Sequence, residues 1–297
     1  MPFSNKIILN PSFAGLNKNT SFWTGLQFFK QPERDVYNEY SLTYDKYSYG
    51  LNGGIAFYFR QGLVGDININ TSELGFAVSR HFEANKNFFI PSLNINFKYA
   101  NKQWYAQFID HILAKKIQPP SPPGAKFGRF YRIKPRPGFL WDSENYQAGI
   151  SAQFPFGNQL AKEGNQLDLF SPVFIVHLAK KVSGQKKGLV SLPFRAKPEV
   201  VLLYSKNTIL SRLSLNVEEV KHTYSIFTQN DFTRNLHGIG GTFGWKIENI
   251  RLNFAAGVSL PAISDEVAFY GEVRLGLVIP PILYSKKKPW APLKNTY

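Results

Sequence analysis

Five histidines, His81, His111, His177, His222 and His237, are spread along the chain. A metal site built from imidazoles needs ligands a few residues apart, or partnered by cysteines, and neither arrangement occurs. Cysteine is absent, which removes thiolate ligands, cysteine nucleophiles and disulfides together. Acidic neighbours such as Asp142/Glu144 and Glu218/Glu219 have the right type for acid–base work. Carboxylates so close in sequence on a turn read as solvated. The run "GIGGTFG", Gly238 to Gly244, lies inside an alternating segment, where glycine marks a bend or a tight contact rather than a phosphate cradle. No nucleophile elbow, P-loop or dinucleotide fingerprint is found. The sequence therefore predicts a binding protein, not an enzyme, with no catalytic, cofactor-binding or metal-binding residues.

The richest recognition chemistry sits in residues 113–144, "LAKKIQPPSPPGAKFGRFYRIKPRPGFLWDSE". The stretch is dense in Pro, Gly and basic residues and reads as a long extended loop, of the kind that serves binding. "KFGRFYRIKPR" interleaves cations with rings, as a nucleic-acid surface would, but no nucleic-acid module surrounds it. Arg and large aromatics dominate protein-binding hot spots, so Arg129, Tyr131, Arg132, Arg136 and Trp141 are the expected partner contacts.

The elements that must position these residues share one pattern. In "SLNINFKYANKQWYAQFID", residues 92–110, Leu93, Ile95, Phe97 and Tyr99 alternate with Ser92, Asn94, Asn96 and Lys98. Asn101 and Lys102 read as the turn of a hairpin, with residues 104–109 as the return strand. The same two-sided pattern recurs at Tyr40/Leu42/Tyr44, Leu74/Phe76/Val78, Ala148/Ile150/Ala152 and Leu213/Leu215/Val217. A clear hairpin sets Ile239, Phe243, Trp245 and Ile247 against Leu252, Phe254, Ala256 and Val258, around a tight turn at Glu248 and Asn249. The sequence predicts about fourteen strands of roughly 8–11 residues, the length of a tilted membrane-crossing strand. The class is all-β.

The oily face either packs on a second sheet, as in a soluble sandwich, or faces lipid. Its studding with Tyr, Trp and Phe, opposite a face of Gly, Ser, Asn, Gln and Thr, favours an outer-membrane barrel with a polar lumen. About fourteen strands also enclose too wide an interior for side chains to fill. In 297 residues, the formal charge of +15 and pI near 9.7 suit an anionic lipid surface or an acidic partner. No apolar run approaches the length of a membrane-crossing helix, and "MPFSNKIILNPSF" has no signal-peptide core. If both termini are periplasmic and the strand count holds, the 113–144 loop falls on the periplasmic side, and one strand more or fewer before it puts it outside.

The opening "FSNKIILNPSFAGLNKNT" resembles the start of a known family. Asn10, Pro11, Ser12, Phe13, Ala14 and Gly15 are similar to the Asn-Pro-Ala-Tyr-Ala-Gly signature of the mature PorP/SprF proteins, outer-membrane components of Bacteroidetes type IX secretion and gliding motility. "DLFSPVFIVHL" and "PEVVLLYSKNTILSRLSLN" resemble later strands of that family. Ser12 and Phe13 depart conservatively, and residues 113–144 exceed the length expected there.

The resemblance implies one domain, residues 1–297, in the bacterial outer membrane, the chain being a mature form whose signal peptide is gone. Residues 1–20 would be an N-terminal strap or plug and 280–297 a basic tail. It implies binding of a secreted surface adhesin through its C-terminal domain, aiding export and anchoring. A core role touching periplasmic ring lipoproteins is the alternative, alongside contact with outer-membrane lipid and lipopolysaccharide. Nucleic acid is not an expected partner. A passive porin is the rival from another class, with Lys98, Arg212 and Arg251 setting anion preference.

Overall fold

The computed structural model describes residues 5–31, 34–64, 69–102, 128–156, 172–186, 192–206, 208–233, 236–261 and 267–281. A four-residue helix α1 (Lys6–Leu9) and a 3-10 turn (Pro11–Phe13) come first. Strands follow: β1 (Thr20–Gln31), β2 (Arg34–Ser48), β3 (Gly53–Val64), β4 (Ile69–Ser79), β5 (Phe82–Ala84), β6 (Asn87–Lys102), β7 (Gly128–Asp142) and β8 (Tyr146–Gln153). Then come β9 (Val173–Lys180), β10 (Val182–Lys186), β11 (Leu192–Ser205), β12 (Thr208–Glu218), β13 (His222–Asp231), β14 (Leu236–Ile247), β15 (Ile250–Pro261) and β16 (Ala268–Ile279).

Every ladder is antiparallel. β4 and β5 both pair with β6, and β9 and β10 both pair with β11, so each couple is one interrupted stave. β16 pairs with β1, and the sheet closes as a 14-strand barrel. Closure removes the unpaired edges that a bilayer would not tolerate.

The exposure pattern shows which face meets lipid. On β6, Asn94 and Asn96 are fully buried, while Leu93, Ile95 and Phe97 are 49%, 37% and 52% exposed. The apolar face is the outer one, and a soluble sandwich would show the reverse. Outward rings cluster toward both strand ends, as Phe22 with Tyr44 and Tyr99 with Tyr131.

Thr20 pairs with Ile279, so both ends of the strand series lie at one mouth of the barrel, here the terminus end. The described connections there are tight. Asn52, Asn85, Lys86 and Glu248 take left-handed φ values of +46°, +48°, +66° and +49°, as sharp turns require. Ile247 pairs directly with Ile250 around Glu248 and Asn249, the expected turn.

Two expectations are corrected. Asn101 and Lys102 are not a turn: β6 runs through both, pairing Asn101 with Asn70 and Arg129 and Lys102 with Gly128. Residues 104–109, read as the return strand, lie outside the described residues. The expected loop is also shorter, because residues 128–142 are β7, in register with β6 along their whole length. β7 is thus the returning strand, and the connection before it leaves from the far end, opposite the termini. Residues 113–127 lie outside the described residues.

The prolines that made β7 look like loop have a specific position. Ile133 exchanges ladder bonds of 2.8 Å with Phe156, and Phe154 N–H donates to Pro135 O at 3.0 Å. In that phase the missing N–H groups of Pro135 and Pro137 fall on the β8 side. Regular pairing of β7 with β8 is confined to residues 138–142 against 147–151.

Candidate functional site

Closure and register arrange the inward side chains in rows. Near the terminus end, small residues sit side by side: Ser79 pairs with Ser92, Ser92 with Gly138, and Gly138 with Ser151. With Gly54, they form a trough on the inner wall, and residues 5–15 lie in it. Ser151 Oγ donates to Leu9 O at 2.6 Å and Ser79 Oγ to Ala14 O at 2.8 Å. Ser12 Oγ bonds Ser92 Oγ at 2.7 Å, and Gly15 N–H donates to Asp45 Oδ1 at 2.7 Å.

Asn10 serves twice. Its Oδ1 accepts from Ser12 N–H at 3.0 Å and caps the 3-10 turn, while Pro11 sits where no backbone donor is needed. Its Nδ2 donates to Phe139 O at 3.1 Å and Ile150 O at 3.3 Å, spanning the short β7–β8 seam. Gly15 takes φ +65° against Gly54, and a Cβ on Gly54 would overlap the Ala14 carbonyl.

The segment also spans the inner wall from β2 to β11. Ile7, Ile8, Phe13 and Ala14 pack on Ala56, Tyr58, Ala77, Ile90 and Leu140, and Leu9 packs on Ile175 and Val201 of β9 and β11. Asn5 Nδ2 donates to Thr43 Oγ1 at 2.7 Å on β2, and Lys6 Nζ donates to Glu199 Oε2 at 2.8 Å on β11. His177 meets the same carboxylate at 3.2 Å and packs edge-to-face with the Phe13 ring, centroids 5.2 Å apart.

Toward the far end the rows become charged. One runs Asp45, Ala56, Ala77, Asn94, Arg136. The next runs Thr43, Tyr58, Gly75, Asn96, Lys134, and the one beyond it Ser41, Arg60, Glu73, Lys98, Arg132. Glu39 holds Arg60 with two bonds of 2.6 and 2.9 Å. Tyr58 hydroxyl joins Asn94 and Asn96.

The sequence-selected contacts are not brought together. Arg132 and Arg136 face the lumen. Tyr131 and Trp141 face outward, Tyr131 against Tyr99 with centroids 5.2 Å apart and Trp141 donating to Asn87 Oδ1 at 3.2 Å. Arg129 pairs with Asn101, and its side chain is outside the described residues. Of the cations assigned to a porin, Lys98 and Arg212 point inward, Arg212 lying 3.9 Å over the Phe227 ring. Arg251 pairs with Lys246 and is half-buried. The reading missed Lys6, Arg60, Glu73, Lys134, His177 and Glu199. The even positions of "RIKPR" carried a signal for Lys134, had the segment been taken as a strand. Among the described residues no cluster of three or more metal-ligating side chains occurs.

The profile of the family described as "Type IX secretion system membrane protein PorP/SprF" matches residues 3–268. The chain belongs to the PorP/SprF family. This PorP/SprF barrel lies in the bacterial outer membrane. No curated protein sequence matches the chain. Among solved structures it is similar to the Pseudomonas putida toluene transporter TodX, at 11% identity and TM-score 0.47, covering 92% of each chain. It is also similar to the Acinetobacter baumannii outer membrane protein Omp33, at 9% identity and TM-score 0.45, over 88% of this chain and 99% of that one. CdiB from Acinetobacter baumannii matches at 8% identity and TM-score 0.43 over 86% of this chain, which spans 60% of CdiB.

Proposed function

We propose that this barrel binds the C-terminal domain of a secreted type IX substrate at its far end, aiding export and holding the substrate at the cell surface. The observation that carries the reading is the seating of residues 5–15 on the inner wall, hydrogen-bonded at Thr43, Asp45, Ser79, Ser92, Ser151 and Glu199. A lumen occupied along its wall by its own chain suits a docking platform better than a passive porin. Outer-membrane barrels keep short turns in the periplasm and longer loops outside, which assigns the terminus end to the periplasm. The far mouth, with Arg132, Lys134 and Lys98 below it, then faces outward, and its positive field would steer an acidic partner.

Gentle detergent capture of the tagged protein from its native cells, with mass spectrometry of what comes along, tests the proposal. Recovery of a secreted protein bearing a type IX C-terminal domain supports it. Recovery of periplasmic ring lipoproteins alone moves the role to the secretion core. A partnerless barrel that conducts ions restores the porin.

A further inference from the structure

We propose that the lumen wall beside and beyond the N-terminal segment is an oxyanion site, in which Arg136, Lys134 and Asn96 grip a carboxylate or phosphate group and Lys98 and Arg132 extend the positive wall toward the far mouth. The proposal goes beyond partner docking and does not depend on it.

The register supplies the geometry. Asn94 faces Arg136, Asn96 faces Lys134 and Lys98 faces Arg132 across the β6–β7 ladder. Directly opposed side chains have Cβ atoms about 4.5–5.5 Å apart, so these six form a two-column panel on one inner wall. Their neighbours on β3 and β4 are Arg60 and Glu73, and Arg60 is engaged by Glu39. Glu73 is the one carboxylate in the panel's rows on β3, β4, β6 and β7, against Arg60, Lys98, Arg132, Lys134 and Arg136.

The second observation is an unfinished set of hydrogen bonds. Arg136 is only 6% exposed, yet its Nε and Nη1 have no acceptor among the described residues. Asn96 is fully buried, and its Nδ2 likewise lacks an acceptor. A guanidinium buried with unmade bonds is destabilising, and a nearby buried amide donor left unpaired adds to that. Three unpaired donors from residues on adjacent rows, beside the Lys134 ammonium, outnumber the one unpaired acceptor there, Asn94 Oδ1, and are complementary to a group that only accepts. A carboxylate or phosphate has that chemistry. The wall already binds one carboxylate in this manner, since Arg60 grips Glu39 with two parallel bonds.

The test uses the full chain purified in detergent, titrated calorimetrically with inorganic phosphate and, separately, with triglutamate, at low and raised chloride. At least one probe should bind, and raised chloride should weaken it. Arg136→Gln and Lys134→Gln should each lower its affinity about tenfold or more, a loss of one charge-assisted contact. Lys221→Gln, an exposed turn residue, should change nothing. Preference for triglutamate identifies the source as an acidic peptide, and preference for phosphate identifies a phosphorylated solute or headgroup. Heat-modified gel mobility verifies the barrel in every variant, and Lys98→Gln replaces Arg136→Gln should that variant fail to fold. Absence of binding by both probes to the folded wild type overturns the proposal, as does affinity unchanged in Lys134→Gln and in the folded second variant.

Discussion

At the residue scale, the opening motif joins local caps to contacts with distant strands, Asn10 bonding Ser12 N–H and the carbonyls of Phe139 and Ile150. Asn10 as a local cap, Pro11 as a stiffener and Ala14-Gly15 as the close turn follow from residue type, and the structure places them so. The bonds from Asn10 to Phe139 and Ile150, and the fit of Ala14 over Gly54, could not be read, because those partners are distant in sequence. Gly54→Ala should therefore act on the segment rather than on its own strand. Its Cβ displaces the Ala14 carbonyl, an overpacking cost of about 1–3 kcal/mol. We expect faster proteolysis at residues 5–15 and higher ion conductance in planar bilayers, with the barrel's gel mobility unchanged. Conductance equal to wild type would show that the segment does not obstruct the lumen. Asn10→Ala removes a cap and two wall bonds and should cost about 1–2 kcal/mol in detergent unfolding.

His81, in the break between β4 and β5 at the terminus end, is the group through which we expect the segment to respond to pH. It is 3% exposed, with Nε2 3.3 Å from Ser79 Oγ and 3.4 Å from Ala14 O. Burial holds its pKa below the ordinary 6.5, the Ala14 carbonyl opposing and Lys18 reinforcing the shift. With the folded pKa below the unfolded one, the unfolded chain takes up the proton first. Stability is thus full above about 6.5 and falls as pH drops through that value toward the folded pKa. Protease access to residues 5–15 should rise on acidification below about 6.5, and His81→Gln should abolish the rise attributable to this group. A rise as large in the variant would remove His81 from the account.

At the element scale, period-two alternation was enough to find most strands, because a barrel wall has one lipid face and one lumen face and each residue follows its side. β7 was missed for a physical reason. Its inward positions are Arg132, Lys134 and Arg136, and its outward ones include Pro135 and Pro137, so neither face looks like a strand in isolation. Register with β6 makes it one. The strands also run longer than the expected span, β6 to 16 residues and β2 and β7 to 15, so that they extend past the apolar belt. The two prolines leave β7–β8 with fewer ladder bonds than β6–β7. Hydrogen exchange should be faster in peptides covering residues 146–153 than in those covering 87–98. Equal protection would mean that the seam is as well bonded as its neighbours.

At the scale of the whole molecule, barrel, membrane and family were legible from strand count, ring placement and the opening motif. The division of the lumen was not, since it arises from register: small residues gather at one level and cations at another. That division seats the N-terminal segment on the wall at the terminus end and sets the cationic rows toward the opposite mouth. A photo-crosslinking amino acid placed at Arg132, near the far mouth, and in a second strain at Lys86, on a terminus-end turn, tests the resulting claim directly in living cells. The account predicts that Arg132 captures a secreted type IX substrate and Lys86 does not. Capture of substrate at neither position, or of periplasmic ring components at Lys86 alone, would contradict it.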